Sequence, residues 1–180
     1  MTNIQWKTIL TVLWAVAITA LTAANGHCQT EEEIFSWTAK TFGVDADITM
    51  PEVHWVDRAE LQAVFVKNNQ ASYLRWQNRL GAAQAQVVMD QYLTEVMGLF
   101  SPKTNEVYVG TFIEECRKEA VLAHEFTHFF QQIHEGEVTG WGEEGEATVR
   151  FVREMEAYKI ETLYQQTFCQ PGNSFGSDSH

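Results

Sequence analysis

Two histidines four residues apart, with a glutamate directly after the first, stand in the segment His124-Glu125-Phe126-Thr127-His128. Residues at that spacing share one face of an α-helix, so both imidazoles can reach one metal ion at the usual zinc–nitrogen distance of about 2.0–2.1 Å. Glu125 sits one residue round from the first ligand and can meet a water held beside the metal instead of the metal itself. That division of labour is the chemistry of a zinc hydrolase. From Ala120 to Gln132 no other charged residue occurs. Phe126, Phe129, Phe130 and Ile133, with Leu122, form an apolar side able to bury the helix, while Val121, His124, Glu125 and His128 share the other.

A hydrolytic zinc site needs a third protein ligand and an open position. The segment Trp141-Gly142-Glu143-Glu144-Gly145-Glu146-Ala147 offers three carboxylates. Helical phase places Glu144 on a stripe continued by Ala147, Thr148, Phe151, Met155 and Tyr158, whereas Glu143 and Glu146 continue to Arg150, Arg153 and Glu154. An inward carboxylate is costly unless it is paired or metal-bound. Glu144 is therefore expected to complete the site, with His124 and His128 as metal ligands, Zn2+ as the ion and Glu125 as the catalytic base.

The elements that must hold these residues follow from local signals. Thr30 and Glu33 form a capping box that starts a helix running to about Phe42 and ending at Gly43, with Ile34, Phe35, Trp37, Thr38 and Phe42 on its buried side. Residues 52–56 alternate as a strand, and Asp57 with Glu60 starts a second helix through about Val66. Residues 68–95 mix helix formers with Gly81 and β-branched residues and give no clear pattern. Residues 96–100 and 106–110 flank a turn-rich 101–105 and predict a β-hairpin. Long helices are expected over 114–133 and from Trp141 to about Phe168, separated by a loop carrying Gly136 and Gly140. Trp76 and Tyr92 are expected in the core.

With these residues in hand, the chain resembles the gluzincin branch of His-Glu-x-x-His zinc metallopeptidases, over residues 97–151. The stretch from Trp141 to Ala147 is similar to that group's W-x-x-E-G-x-A segment, whose glutamate ligates zinc and falls on Glu144 here. Gly98-Leu99-Phe100 to Tyr108-Val109 is similar to the hairpin that precedes the active-site helix in the group and supplies an edge strand. The resemblance implies an α+β, zincin-like fold: a small sheet with an edge hairpin packed on the active-site helix, then a third-ligand helix. It also implies a protease acting on a peptide or protein substrate. Strand 106–110 is expected to be the edge that aligns the peptide. No tyrosine or histidine matches the group's usual oxyanion stabiliser; Tyr108 could reach the oxyanion but is read as a packing or surface residue. The alternative is an exported zinc-binding protein or assembly factor that keeps the fold without catalysis.

The composition of the 180 residues, 45% hydrophobic with three prolines, is that of a globular chain with a real core. A net charge of −12 opposes binding to nucleic acid, whose backbone carries the same sign. Lys7 followed by the apolar run Ile9 to Ala20 and small residues up to Gly26 reads as a signal peptide over residues 1–26, making the protein exported, secreted or periplasmic. The alternative is a membrane anchor over residues 4–24, the one route to a membrane partner. One metallopeptidase domain is expected over 27–170, with a flexible tail over 171–180. The three cysteines, Cys28, Cys116 and Cys169, allow one internal bridge of undetermined pairing. Nothing in the sequence sets the substrate's identity or the oligomeric state.

Overall fold

The computed structural model describes residues 29–44, 47–135 and 143–169, apart from the side chains of 135 and 143–147. These residues belong to one compact unit, Cys28–Gln170. The expected signal segment, the glycine loop and the tail lie outside the described residues. No described helix is long and apolar enough to cross a membrane.

The architecture is α+β. In chain order the elements are α1 (Glu31–Phe42), β1 (Glu52–Val56), α2 (Arg58–Leu80), α3 (Ala82–Glu95), β2 (Gly98–Ser101), β3 (Glu106–Gly110), α4 (Glu115–Glu135) and α5 (Glu143–Phe168). The Thr30 hydroxyl accepts from Glu33 N–H at 3.2 Å and the Glu33 carboxylate accepts from Thr30 N–H at 2.8 Å, so both halves of the α1 capping box form. Gly43 ends the helix with φ at 86°, a left-handed conformation that a side chain would resist. Asp57 caps α2 through Glu60 N–H at 2.9 Å.

Helix α2 runs to Leu80, well past Val66, because its exposed face is rich in helix-forming Gln, Lys, Arg and Ala. Gly81 breaks it, and α3 folds back alongside. Gln62 of α2 donates to Leu93 O at 2.8 Å, and Trp76 stacks on Tyr92 with centroids 5.6 Å apart. Tyr92 remains 48% exposed, so this aromatic pair clasps a surface hairpin instead of filling the core.

The three strands are ordered β1-β3-β2, with β1 parallel and β2 antiparallel to β3. Residues 106–110 therefore form the central strand, and the edge beside the hairpin is β2, a correction to the sequence expectation. Connection length explains it: the α2–α3 crossover lets β1 pair with β3 in parallel, which a short hairpin alone would not permit. Along β3, Val107 and Val109 are fully buried toward α4. Glu106 and Tyr108 fall on the opposite face by strand alternation. There Tyr108 donates to Glu106 at 2.7 Å and stacks on His54, which keeps it a packing residue away from the histidine pair.

Helix α4 is the centre of the unit. From Glu119 to Thr127 every residue is buried, as the sheet, α1 and α5 all pack against it. Phe35 of α1 meets Phe126 edge-on at 5.1 Å and Phe130 at 5.0 Å, and Phe100 of β2 meets Phe129 at 5.8 Å. Each buried large side chain contributes roughly 1.5–3 kcal/mol by leaving water, so this aromatic cluster fixes α4 firmly. Ile133, expected on the buried side, is 49% exposed one turn beyond the cluster. Buried hydroxyls are satisfied within the helices, Thr127 donating to Ala123 O at 2.9 Å and Thr38 to Ile34 O at 2.8 Å. A disulfide joins Cys116 to Cys169, with Cα atoms 5.6 Å apart, tying the first turn of α4 to the end of α5.

Candidate metal centre

His124 and His128 lie one turn apart on α4, and their Nε2 atoms face each other at 3.1 Å. Each ring is fixed from behind. His124 Nδ1 lies 3.0 Å from Glu161 Oε2, and His128 Nδ1 lies 2.9 Å from Gln131 Oε1. Both partners are acceptors, so each Nδ1 carries the hydrogen and each Nε2 is left with a lone pair directed at the same point. Two lone pairs cannot face each other without a proton or cation between them.

The third member of the group is Glu154 of α5. Its Oε2 is 3.6 Å from His124 Nε2 and its Oε1 is 3.5 Å from His128 Nε2. Tetrahedral ligands about 2.0–2.1 Å from one ion stand about 3.3–3.4 Å from one another. The three separations bracket that value. His124, His128 and Glu154 thus form a buried to half-buried group at ligand distance, and two imidazoles with a carboxylate are a donor set that fits a divalent metal.

The electrostatics agree with a site built for positive charge. Burial opposes charging of His124, but hydrogen bonds to Glu154 and Glu161 outweigh it and push its pKa up to about 10. His128 is raised in the same way, burial being overcome chiefly by Glu154 and by the charge of Glu125. Hydrogen bonds from both histidines hold Glu154 far below the usual carboxylate range.

Glu125 is 6% exposed and is not part of the ligand group. Burial pushes its pKa up, against the pull of His124 and His128, and the Phe100 backbone amide of β2 hydrogen-bonds its carboxylate. The close approach of β2 depends on Gly98. A Cβ at that position would lie 2.7 Å from Glu125 Oε1 and 2.7 Å from Val121 Cγ1.

The sequence reading placed His124, Glu125 and His128 together, and the structure does so. It chose Glu144 as the third ligand, on a stripe whose larger described members are exposed where that choice expected them to face inward. Phe151, Met155 and Tyr158 are 65%, 54% and 55% exposed, while Ala157, Ile160 and Tyr164 are at most 5% exposed and mark the side that faces α4. The side chain of Glu144 lies outside the described residues. It precedes Glu154 by ten positions, which in an α-helix is about 15 Å of rise. Glu154 had been assigned to water because Arg150 and Arg153 share its side.

Glu154, Glu161 and Gln131 were all missed. The signal that carries the two glutamates is their i, i+7 spacing along the Ala157–Ile160–Tyr164 stripe, whereas Gln131 stands in an apolar stretch of α4 with no such pattern. Tyr158, whose ring meets His124 edge-on at 4.8 Å, was also not singled out as a site residue. Comparison with known protein families, characterised proteins and solved structures finds no match to this chain. The site's own geometry therefore carries the functional reading.

Proposed function

We propose that this chain is a zinc-dependent peptidase in which His124, His128 and Glu154 hold the metal and Glu125 is the general base. The observation that carries the reading is the pair of back-anchored imidazoles whose Nε2 atoms converge on one carboxylate, with a second, non-ligating carboxylate buried beside them. A site used only to hold metal has no need of Glu125, whose burial is costly. Bound zinc would supply Lewis acidity, polarising a scissile carbonyl and lowering the pKa of an attacking water.

The protein's own groups do the rest. Glu125, raised in basicity by burial and oriented by the Phe100 amide, accepts the proton of the attacking water and passes it to the leaving nitrogen. Glu161 and Gln131 keep the two imidazoles as Nε2 donors throughout. The ring of Tyr158 meets His124 edge-on at 4.8 Å, and desolvation raises the pKa of its phenol, so it would stand as the hydrogen-bond donor to a developing oxyanion. The β2 edge, beside Glu125, offers backbone groups to an extended peptide.

The deciding experiment compares the wild type with Glu125→Gln, measuring bound zinc by elemental analysis and cleavage of a diverse peptide library by mass spectrometry. Stoichiometric zinc in both and cleavage only by the wild type is the expected result. Zinc in both with cleavage by neither replaces the peptidase by an exported zinc-binding protein, and absence of zinc from both refutes the site.

A further inference from the structure

Gln131 is fully buried, yet it is an amide in a segment where Leu or Met would pack without desolvation cost. All of its polar capacity is directed. Its Nε2 donates to Arg153 O at 3.0 Å and to Glu156 Oε2 at 3.0 Å. Both are acceptors, which fixes the amide orientation and leaves Oε1 facing His128 Nδ1 at 2.9 Å. One side chain of α4 therefore holds the ring of one candidate ligand and, with the same amide plane, grips α5 at the residue immediately before the third ligand, Glu154.

Resting on the metal-site reading above, we infer that Gln131 is a positioning residue that locks His128 as an Nε2 donor and sets the register of α5, so that His128 and Glu154 are presented as one preassembled unit. The magnitudes favour such a device. A slip of one residue along α5 moves Glu154 by about 1.5 Å, whereas metal–ligand distances tolerate about 0.2 Å. Loss of the Oε1 acceptor also frees His128 to carry its hydrogen on Nε2, which removes the lone pair from the site. A purely packing role would need neither the orientation of the amide nor its bond to the Arg153 carbonyl.

The test uses the full chain, Gln131→Leu, and the exchanged pair Gln131→Glu with Glu156→Gln, which retains an acceptor for His128 and a hydrogen bond between positions 131 and 156. Zinc affinity is read by competition with a chromogenic chelator. Proton NMR of the cobalt(II)-loaded proteins reads the shifted, exchangeable Nδ1–H signals of the two ligating histidines, and circular dichroism checks folding.

The wild type is expected to show two such signals. Gln131→Leu is expected to bind zinc about 10- to 100-fold more weakly and to lose the His128 signal to exchange while that of His124 persists. The exchanged pair is expected to recover the signal and, because a carboxylate at 131 restores the bond to position 156 but cannot donate to Arg153 O, an affinity between those of Gln131→Leu and the wild type. A folded Gln131→Leu with wild-type affinity and both signals overturns the inference, as does an affinity loss that leaves both signals intact. If Gln131→Leu does not fold, Gln131→Glu alone must keep the His128 signal and lose affinity, because it sets a carboxylate against Arg153 O and Glu156; unchanged affinity overturns the register role. A wild type that binds neither zinc nor cobalt refutes the metal site itself, and is distinguished by that from a failure of Gln131.

Discussion

Replacing Gly98 by alanine tests whether the placement of Glu125 matters separately from metal binding. The added methyl would stand 2.7 Å from Glu125 Oε1, 2.7 Å from Val121 Cγ1 and 2.9 Å from Glu125 Cγ, where ordinary contact begins near 3.4 Å. About 0.7 Å of relief is needed, and Val121 and Glu125 both sit on the buried central helix, so neither has free space to retreat into. Overpacking of this kind costs about 1–3 kcal/mol in stability. Its effect on chemistry is larger, since a misplacement near 1 Å can lower a rate about 100-fold. The ligands lie on α4 and α5 and do not touch Gly98, so zinc should stay bound. Steady-state kcat/KM on a peptide cleaved by the wild type, with zinc measured in the same samples, is the assay. We expect Gly98→Ala to keep stoichiometric zinc and lose about 100-fold in kcat/KM. Full activity with zinc intact would refute the argument that β2 positions Glu125.

Three further outcomes are expected. Glu154→Ala should lose zinc in equilibrium dialysis while Glu144→Ala retains it; the reverse result would restore the assignment read from the sequence. Tyr158→Phe should keep zinc and lower kcat about 100-fold with little change in KM, and an unchanged kcat would remove the tyrosine from the mechanism. Cys116→Ser with Cys169→Ser opens a link across 53 residues, for which loop-closure entropy predicts a loss of about 4 kcal/mol; chemical denaturation would expose a smaller effect.

Where local chemistry dictates structure, the sequence was legible. The Thr30–Glu33 capping box and Gly43 delimited α1, alternation found β1, and Ser101 to Asn105 marked the hairpin turn. The His-Glu-x-x-His spacing brought His124, Glu125 and His128 together on α4 because positions within one turn of a helix need no tertiary information. Strand order was not legible: whether β3 is central depends on β1 arriving in parallel from fifty residues earlier. The phase of α5 failed for a more instructive reason. Hydrophobic patterning assumes that the apolar side faces inward, but a helix lining a charged cluster turns the half-buried Glu154 and Glu161 toward α4 and leaves Phe151 and Met155 exposed. At such a site the rule inverts, and the small Ala157 was the truer marker of the packed side.

The pairing of β1 with β3 joins Glu52 to Glu106 in register, a contact between distant parts of the chain. The candidate ligands, in contrast, all lie on two consecutive helices. Contacts of short sequence separation form early and long parallel pairings late, since the loop must close before the contact is gained. The order of assembly thus separates the site from the sheet's far edge: α5 against α4, and the β2–β3 hairpin against Glu125, are both joined over short stretches of chain, so the ligands and the setting of Glu125 can form before β1 docks.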